Sequence, residues 1–172
     1  MCNLLAISEA KILKRGLVQP GQTVDVKAAF PLVRDMPYQP PSSRAPKSTV
    51  QGRHDTCSGN HYLLDDMFQG EGMESKVVIC IHSFTEETTA NYPPELREVV
   101  ARGLAPDIPT YIRLKTAAGW TTVDAPWPNK AAHLRLTVNS GFKPGEDTAL
   151  ACNTIGICEV PEGQASRASK KG

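Results

Sequence analysis

The stretch RHDTCSGNHYLLDDMFQGEGMESKVVIC, residues 53–80, sets Cys57 where an amphipathic helix should begin. A thiol at the first turn of a helix meets unpaired backbone N–H groups and the positive end of the helix dipole. Both favour the thiolate over a free thiol of pKa about 8.5. The same N–H groups can receive the oxyanion that forms when a sulfur attacks a carbonyl. The chemistry suggested is therefore nucleophilic acyl transfer through Cys57. Such chemistry needs a proton acceptor, and His61, one helical turn along, could approach the sulfur.

The helix that would carry Cys57 is expected from about 57 to 69, with Asp55 or Thr56 as its cap. Tyr62, Leu63, Met67 and Phe68 form its apolar stripe, and Gly70 and Gly72 end it. Upstream, Val24, Val26, Ala29, Phe30 and Val33 give a short helical pattern that must end before Pro37. Residues 39–52, rich in proline, serine and basic residues, read as an exposed loop. KVVICIHSF reads as a buried strand and PPELREVVARG as a short helix. IPTYIRLKT, AAG and WTTVDAPW read as a β-hairpin in which Tyr111, Arg113 and Lys115 alternate with Ile112 and Leu114. The order predicts an α+β domain over residues 1–160, with helices first and antiparallel strands after, followed by a basic tail, 161–172.

The chain has 172 residues, 40% of them hydrophobic, and a formal net charge of +1. This is enough for one core, and the charge gives no reason to expect nucleic acid as the partner. No apolar run approaches a membrane span. The N-terminal MCNLLAISEAKILKRG carries its basic residues after its apolar patch, so a secretory signal is not expected. Five cysteines at irregular spacing, without CxxC, predict reduced thiols in a cytoplasm rather than disulfides or zinc. No metal-ligand spacing, phosphate-cradling loop or dinucleotide fingerprint occurs, so no cofactor is expected.

DTCSGNHYLLDDMFQGEGMESKVV resembles the nucleophile segment of the transglutaminase-like, papain-like cysteine superfamily, in the form of its small bacterial-type members. VRDMPY, APDIPTYIRL, GWTTVDAPWP, LTVNSGF and DTALAC follow in the order of that family's pieces, covering roughly residues 30–152. The resemblance implies a nucleophile helix packed on a small antiparallel sheet, with Cys57 as nucleophile and Asp124 as the carboxylate that orients an imidazole. Residues 109 and 124 flank the hairpin, and their side chains can share one face. Pro109 stands where the family has its histidine, and proline offers no side-chain proton acceptor. His82, on the strand expected beside the hairpin, ranks first as a substitute base, ahead of His61, His54 and His133. Gln51, six residues before Cys57, has the spacing of a papain-like oxyanion donor. Ser58, His61 and Pro109 complete the expected oxyanion and substrate surroundings.

Three functions fit. The first is a cysteine enzyme acting on an acyl or amide group of a small molecule or peptide, by hydrolysis, transamidation or amide formation. The second is a remodelled biosynthetic cyclase or isomerase that uses the same pocket. The third is a non-catalytic binding domain that has lost the triad histidine.

Overall fold

The computed structural model of the chain describes residues 26–38, 56–82, 85–87, 89–90, 92, 94–102, 109–134, 136–151 and 154–159. Its elements, in order, are helix α1 (Val26–Arg34), helix α2 (Cys57–Gly70), strand β1 (Ser75–His82), helix α3 (Pro94–Ala101), strands β2 (Thr110–Thr116) and β3 (Gly119–Val123), a 3-10 turn (Asn129–Leu134) and strand β4 (Thr154–Glu159). The architecture is α+β, with one four-stranded antiparallel sheet in the order β3-β2-β1-β4. The expected loop 39–52 and the tail 161–172 lie outside the described residues.

The hairpin forms where the alternation predicts. Thr116 pairs with Gly119 around Ala117 and Ala118, and Gly119 takes φ +108°, a conformation that glycine tolerates best. Ile112 and Leu114 then point to one face, together with Val77 and Val123 across the ladder. On that face Ile112, Leu114 and Val123 join Leu63, Leu64, Met67 and Phe68 of α2 and Ala29, Phe30 and Val33 of α1 in the main core, with Phe142. Fully burying one such side chain contributes about 1.5–3 kcal/mol, so this stripe fixes α2 against the sheet. The opposite face holds a smaller cluster of Val78, Cys80 and Tyr111 under Leu150.

Strand β4 is a departure from the sequence reading, which assigns no strand to 154–159. It is short, interrupted by Gly156, and pairs with β1 across an irregularity between Ile81 and His82. Its pattern is too brief to stand out without its neighbour. The far edge of the sheet is covered by residues 147–151. Thr148 donates its N–H to the Thr122 carbonyl (3.0 Å), Asp147 accepts from the Thr122 N–H (2.6 Å), and Thr148 Oγ1 accepts from the Asp124 N–H (2.8 Å).

Arg34 ties α1 to the segment that precedes this edge. Its side chain is buried, and its guanidinium donates to the carbonyls of Asn139 (2.8 Å) and Ser140 (2.6 Å). Asp35 pairs with Arg34 and accepts from the Asn129 N–H at 2.8 Å. Burial alone would raise the Asp35 carboxyl, but the Arg34 hydrogen bonds and charge and the Asn129 amide hold it below its usual value.

Two adjacent acids on α2 behave oppositely to Asp35. Burial raises Asp65 despite hydrogen bonds from Ser75 (2.6 Å) and Gln69 (3.0 Å). Burial, and then the neighbouring Asp65 charge, push Asp66 up to about 6. An acid raised in the folded state favours folding while protonated. That contribution is fully present below the unfolded value of about 3.9 and is lost as pH rises through about 6. Solvent screens the effect because Asp66 is exposed as a residue. Asp66→Asn is therefore expected to raise the urea midpoint at pH 7 and to leave it unchanged near pH 3. An equal shift at both values would contradict this.

Candidate functional site

Cys57 is the first residue of α2 and is half-buried, its sulfur 4.0 Å from Ser58 Oγ. Thr56 occupies the N-cap with extended backbone (φ −100°, ψ 172°), but its side chain makes no capping hydrogen bond. Asp55, the other expected cap, lies outside the described residues, as do Gln51 and His54.

One turn along, Asn60 and His61 point into the interior at 2% and 0% exposure. They hold the peptide unit of Ala125 from both sides. Asn60 Nδ2 donates to the Ala125 carbonyl (3.3 Å), and the Ala125 N–H donates to His61 Nε2 (3.0 Å). The other ring nitrogen, Nδ1, lies 2.9 Å from Thr110 Oγ1. Thr110 is directly opposite Ile79 and shares the helix-side face with Ile112, which is why its hydroxyl reaches α2.

Asp124 follows β3 and is almost fully buried. Its Oδ2 accepts from the Ala151 N–H (2.8 Å), and its Oδ1 lies 3.0 Å from His61 Nε2. The Ala125 amide and the Asp124 carboxylate therefore compete for one nitrogen. The amide N–H points at Nε2, which makes that nitrogen an acceptor, puts the neutral ring's hydrogen on Nδ1 and directs it to Thr110. In that tautomer Oδ1 receives no hydrogen bond. A ring carrying both hydrogens would instead present Nε2–H to Oδ1 and displace the Ala125 amide. The arrangement has two alternative proton placements around a single buried imidazole.

The structure thus brings Asp124 together with His61, which belongs to the helix that Cys57 opens. Ser58 is buried beside the sulfur. Pro109 immediately precedes β2 and serves through its backbone: its carbonyl accepts from the Cys80 N–H (2.9 Å) and from the Cys80 thiol (3.3 Å). Val78 is opposite Tyr111, so alternation along β1 carries Cys80 to the face away from Thr110. His82, buried at the end of β1, lies beyond the irregularity that separates it from Ile81. His133 sits exposed on the 3-10 turn, against the Lys130 carbonyl.

Thr110 and Asn60 escape the sequence reading. Thr110 could have been found by parity, since it shares the face of Ile112 and Leu114, but the missing histidine next door draws attention to Pro109. Asn60 carries no sequence signal beyond its helical position. Among the described residues no group of three or more His, Cys, Asp or Glu side chains could hold a metal ion. None of their helices is long and apolar enough to cross a membrane. An open groove of about 290 Å³ is lined by Glu86, Thr89, Pro94, Arg97, Glu98 and Ala101, none of which belongs to the Cys57 group. Comparison of the chain with family models, with curated proteins and with solved structures returns no match.

Proposed function

We propose that this chain is a cysteine-dependent enzyme of transglutaminase-like architecture, acting on an acyl or amide group of a small molecule or peptide in a reducing, cytoplasmic setting. One observation carries the reading. A half-buried thiol opens a helix whose next turn buries an imidazole against a carboxylate, 3.0 Å apart.

In this reading the Cys57 sulfur attacks the carbonyl carbon and the carbonyl π electrons move to oxygen, where first-turn N–H groups of α2 receive the charge. The oxyanion collapses and the C–N or C–O bond breaks. The thiol proton passes to solvent water as the thiolate forms, water returns a proton to the leaving amine or alcohol, and a thioester to Cys57 remains for water or an amine to resolve. His61 is a positioning residue here, because both of its nitrogens are engaged inside the protein. It holds β2 and the end of β3 against the first turns of α2, and Asp124 with them. A remodelled cyclase or isomerase would use the same thiol and carboxylate without the thioester.

That same engagement of both ring nitrogens favours a second reading, a binding domain without covalent chemistry. Acyl trapping separates the two. Brief exposure of the native protein to p-nitrophenyl acetate, followed by intact-mass analysis and peptide mapping, is expected to place one acetyl group on the peptide holding Cys57. Cys57→Ala should abolish it. Acetylation confined to the exposed Cys158, or none at any cysteine, would support the binding domain and overturn the enzyme.

A further inference from the structure

The His61 ring stands among three buried partners that it cannot all serve. Thr110 Oγ1 lies 2.9 Å from Nδ1, and a hydroxyl can give or take a hydrogen there. Nε2 faces the Ala125 N–H at 3.0 Å, which only donates, and Asp124 Oδ1 at 3.0 Å, which as a carboxylate only accepts. With Nε2 bare, the amide is met and Oδ1 receives no hydrogen bond inside the protein. With a hydrogen on Nε2, the carboxylate is met and the amide is left over. Each arrangement forfeits one buried bond, and an unmet charged group costs more than an unmet amide.

We infer that His61, Asp124 and the Ala125 peptide form a proton-operated switch, in which a proton gained at Nε2 trades the Ala125 amide for Asp124 Oδ1 and frees the amide side of that peptide. The proton comes from solvent, and the N–H bond is the one covalent bond formed. Nδ1–H stays on Thr110, so both hydrogens of the imidazolium have buried acceptors. Asn60 keeps the Ala125 carbonyl, so the change loosens one side of the hold that α2 has on the end of β3.

Among the described residues no other charged side chain pairs with Asp124. On α2, Cys57 lies one turn before His61, Asp65 one turn beyond it is held by Ser75 and Gln69, and Asp66 is exposed. Lys76 and Cys80 of β1 and Tyr111, Arg113 and Lys115 of β2 face away from α2, and His82 lies beyond the irregularity in β1. On α1, Lys27 is exposed and Arg34 pairs with Asp35; on the covering segment Asp147 takes the Thr122 N–H and Glu146 pairs with Lys143. The switch needs no reactivity at Cys57 and stands apart from the acyl chemistry proposed above.

The test follows the ¹⁵N-labelled full chain by NMR across the pH range in which its native signals persist, reading the His61 ring nitrogens and the Ala125 amide. At the upper end the ring should carry its hydrogen on Nδ1. As Nε2 gains the second hydrogen, the Ala125 amide signal should shift in the same step. Its protection from hydrogen exchange, taken relative to the unfolded chain at the same pH, should fall roughly tenfold, as loss of one hydrogen bond implies. His61→Gln, neutral throughout, should hold that protection constant; if it does not fold, coincidence of the two steps in the native chain decides. A ring that gains its proton while Ala125 stays unchanged would overturn the switch. So would a neutral ring with its hydrogen on Nε2, a ring that gains no second hydrogen before the native signals are lost, or an Ala125 step that persists in folded His61→Gln.

Discussion

Replacing His61 with leucine is expected to cost about 2–6 kcal/mol of folding stability, since two buried polar groups lose their partner at about 1–3 kcal/mol each. Those groups are the Thr110 hydroxyl and the Ala125 N–H, both in buried residues. Leucine fills much of the imidazole volume, so the loss reports hydrogen bonding rather than a cavity. Thr110→Val removes one bond of the set and should cost about 1 kcal/mol. His61→Gln, which restores a donor and an acceptor, should recover part of the leucine loss. Urea unfolding at pH 7 measures all three. A His61→Leu protein within about 0.5 kcal/mol of the native chain, the range of ordinary surface changes, would mean that no such buried network exists.

A penalty of that size fits a residue that ties three segments together. Asn60 and His61 clamp the Ala125 peptide from α2, while Arg34 and Asn139 hold the loop that covers Asp124 on its other side. Asn139 Nδ2 donates to the carbonyls of Asp124 and Ala149 at 2.8 Å, and its Oδ1 accepts from the Ala149 N–H. The carboxylate is therefore held by the Ala151 N–H, 27 residues downstream, while the Asp124 backbone N–H donates to the Thr148 hydroxyl.

Helix α2, the hairpin and β1 were legible in the sequence because each is written in a local period. Leu63, Met67 and Phe68 repeat at helical spacing, and Tyr111 to Lys115 alternate. The position of Cys57 at the helix start follows from the same local signal. What could not be read is contact across the chain. Nothing near His61 announces Thr110 or Ala125, which reach it from residues 49 and 64 positions away. VRDMPY stood out only as a resemblance. Its Arg34 reaches carbonyls 105 and 106 residues downstream, a role that no window of sequence contains. Strand adjacency makes His82 a candidate base, but strand parity cannot be carried to it from sequence, because an irregularity falls between Ile81 and His82. A helix histidine at i+4 from a cysteine often packs, and in this protein it does pack, against the Asp124 carboxylate.

The thiol proposed as nucleophile carries the second large expected effect, since a helix start would favour the reactive form that a free cysteine at neutral pH populates only to a few per cent. Cys158 is exposed and Cys80 is buried with its thiol donated to the Pro109 carbonyl, so the described part of the chain supplies both controls. The deciding measurement is the rate of iodoacetamide alkylation at each cysteine, read by peptide mapping at pH 7 with limiting reagent. Cys57, although less exposed than Cys158, should react roughly tenfold faster, through its larger thiolate fraction. Alkylation of Cys57 at or below the rate of Cys158 would show an ordinary thiol at the head of α2 and would contradict the account.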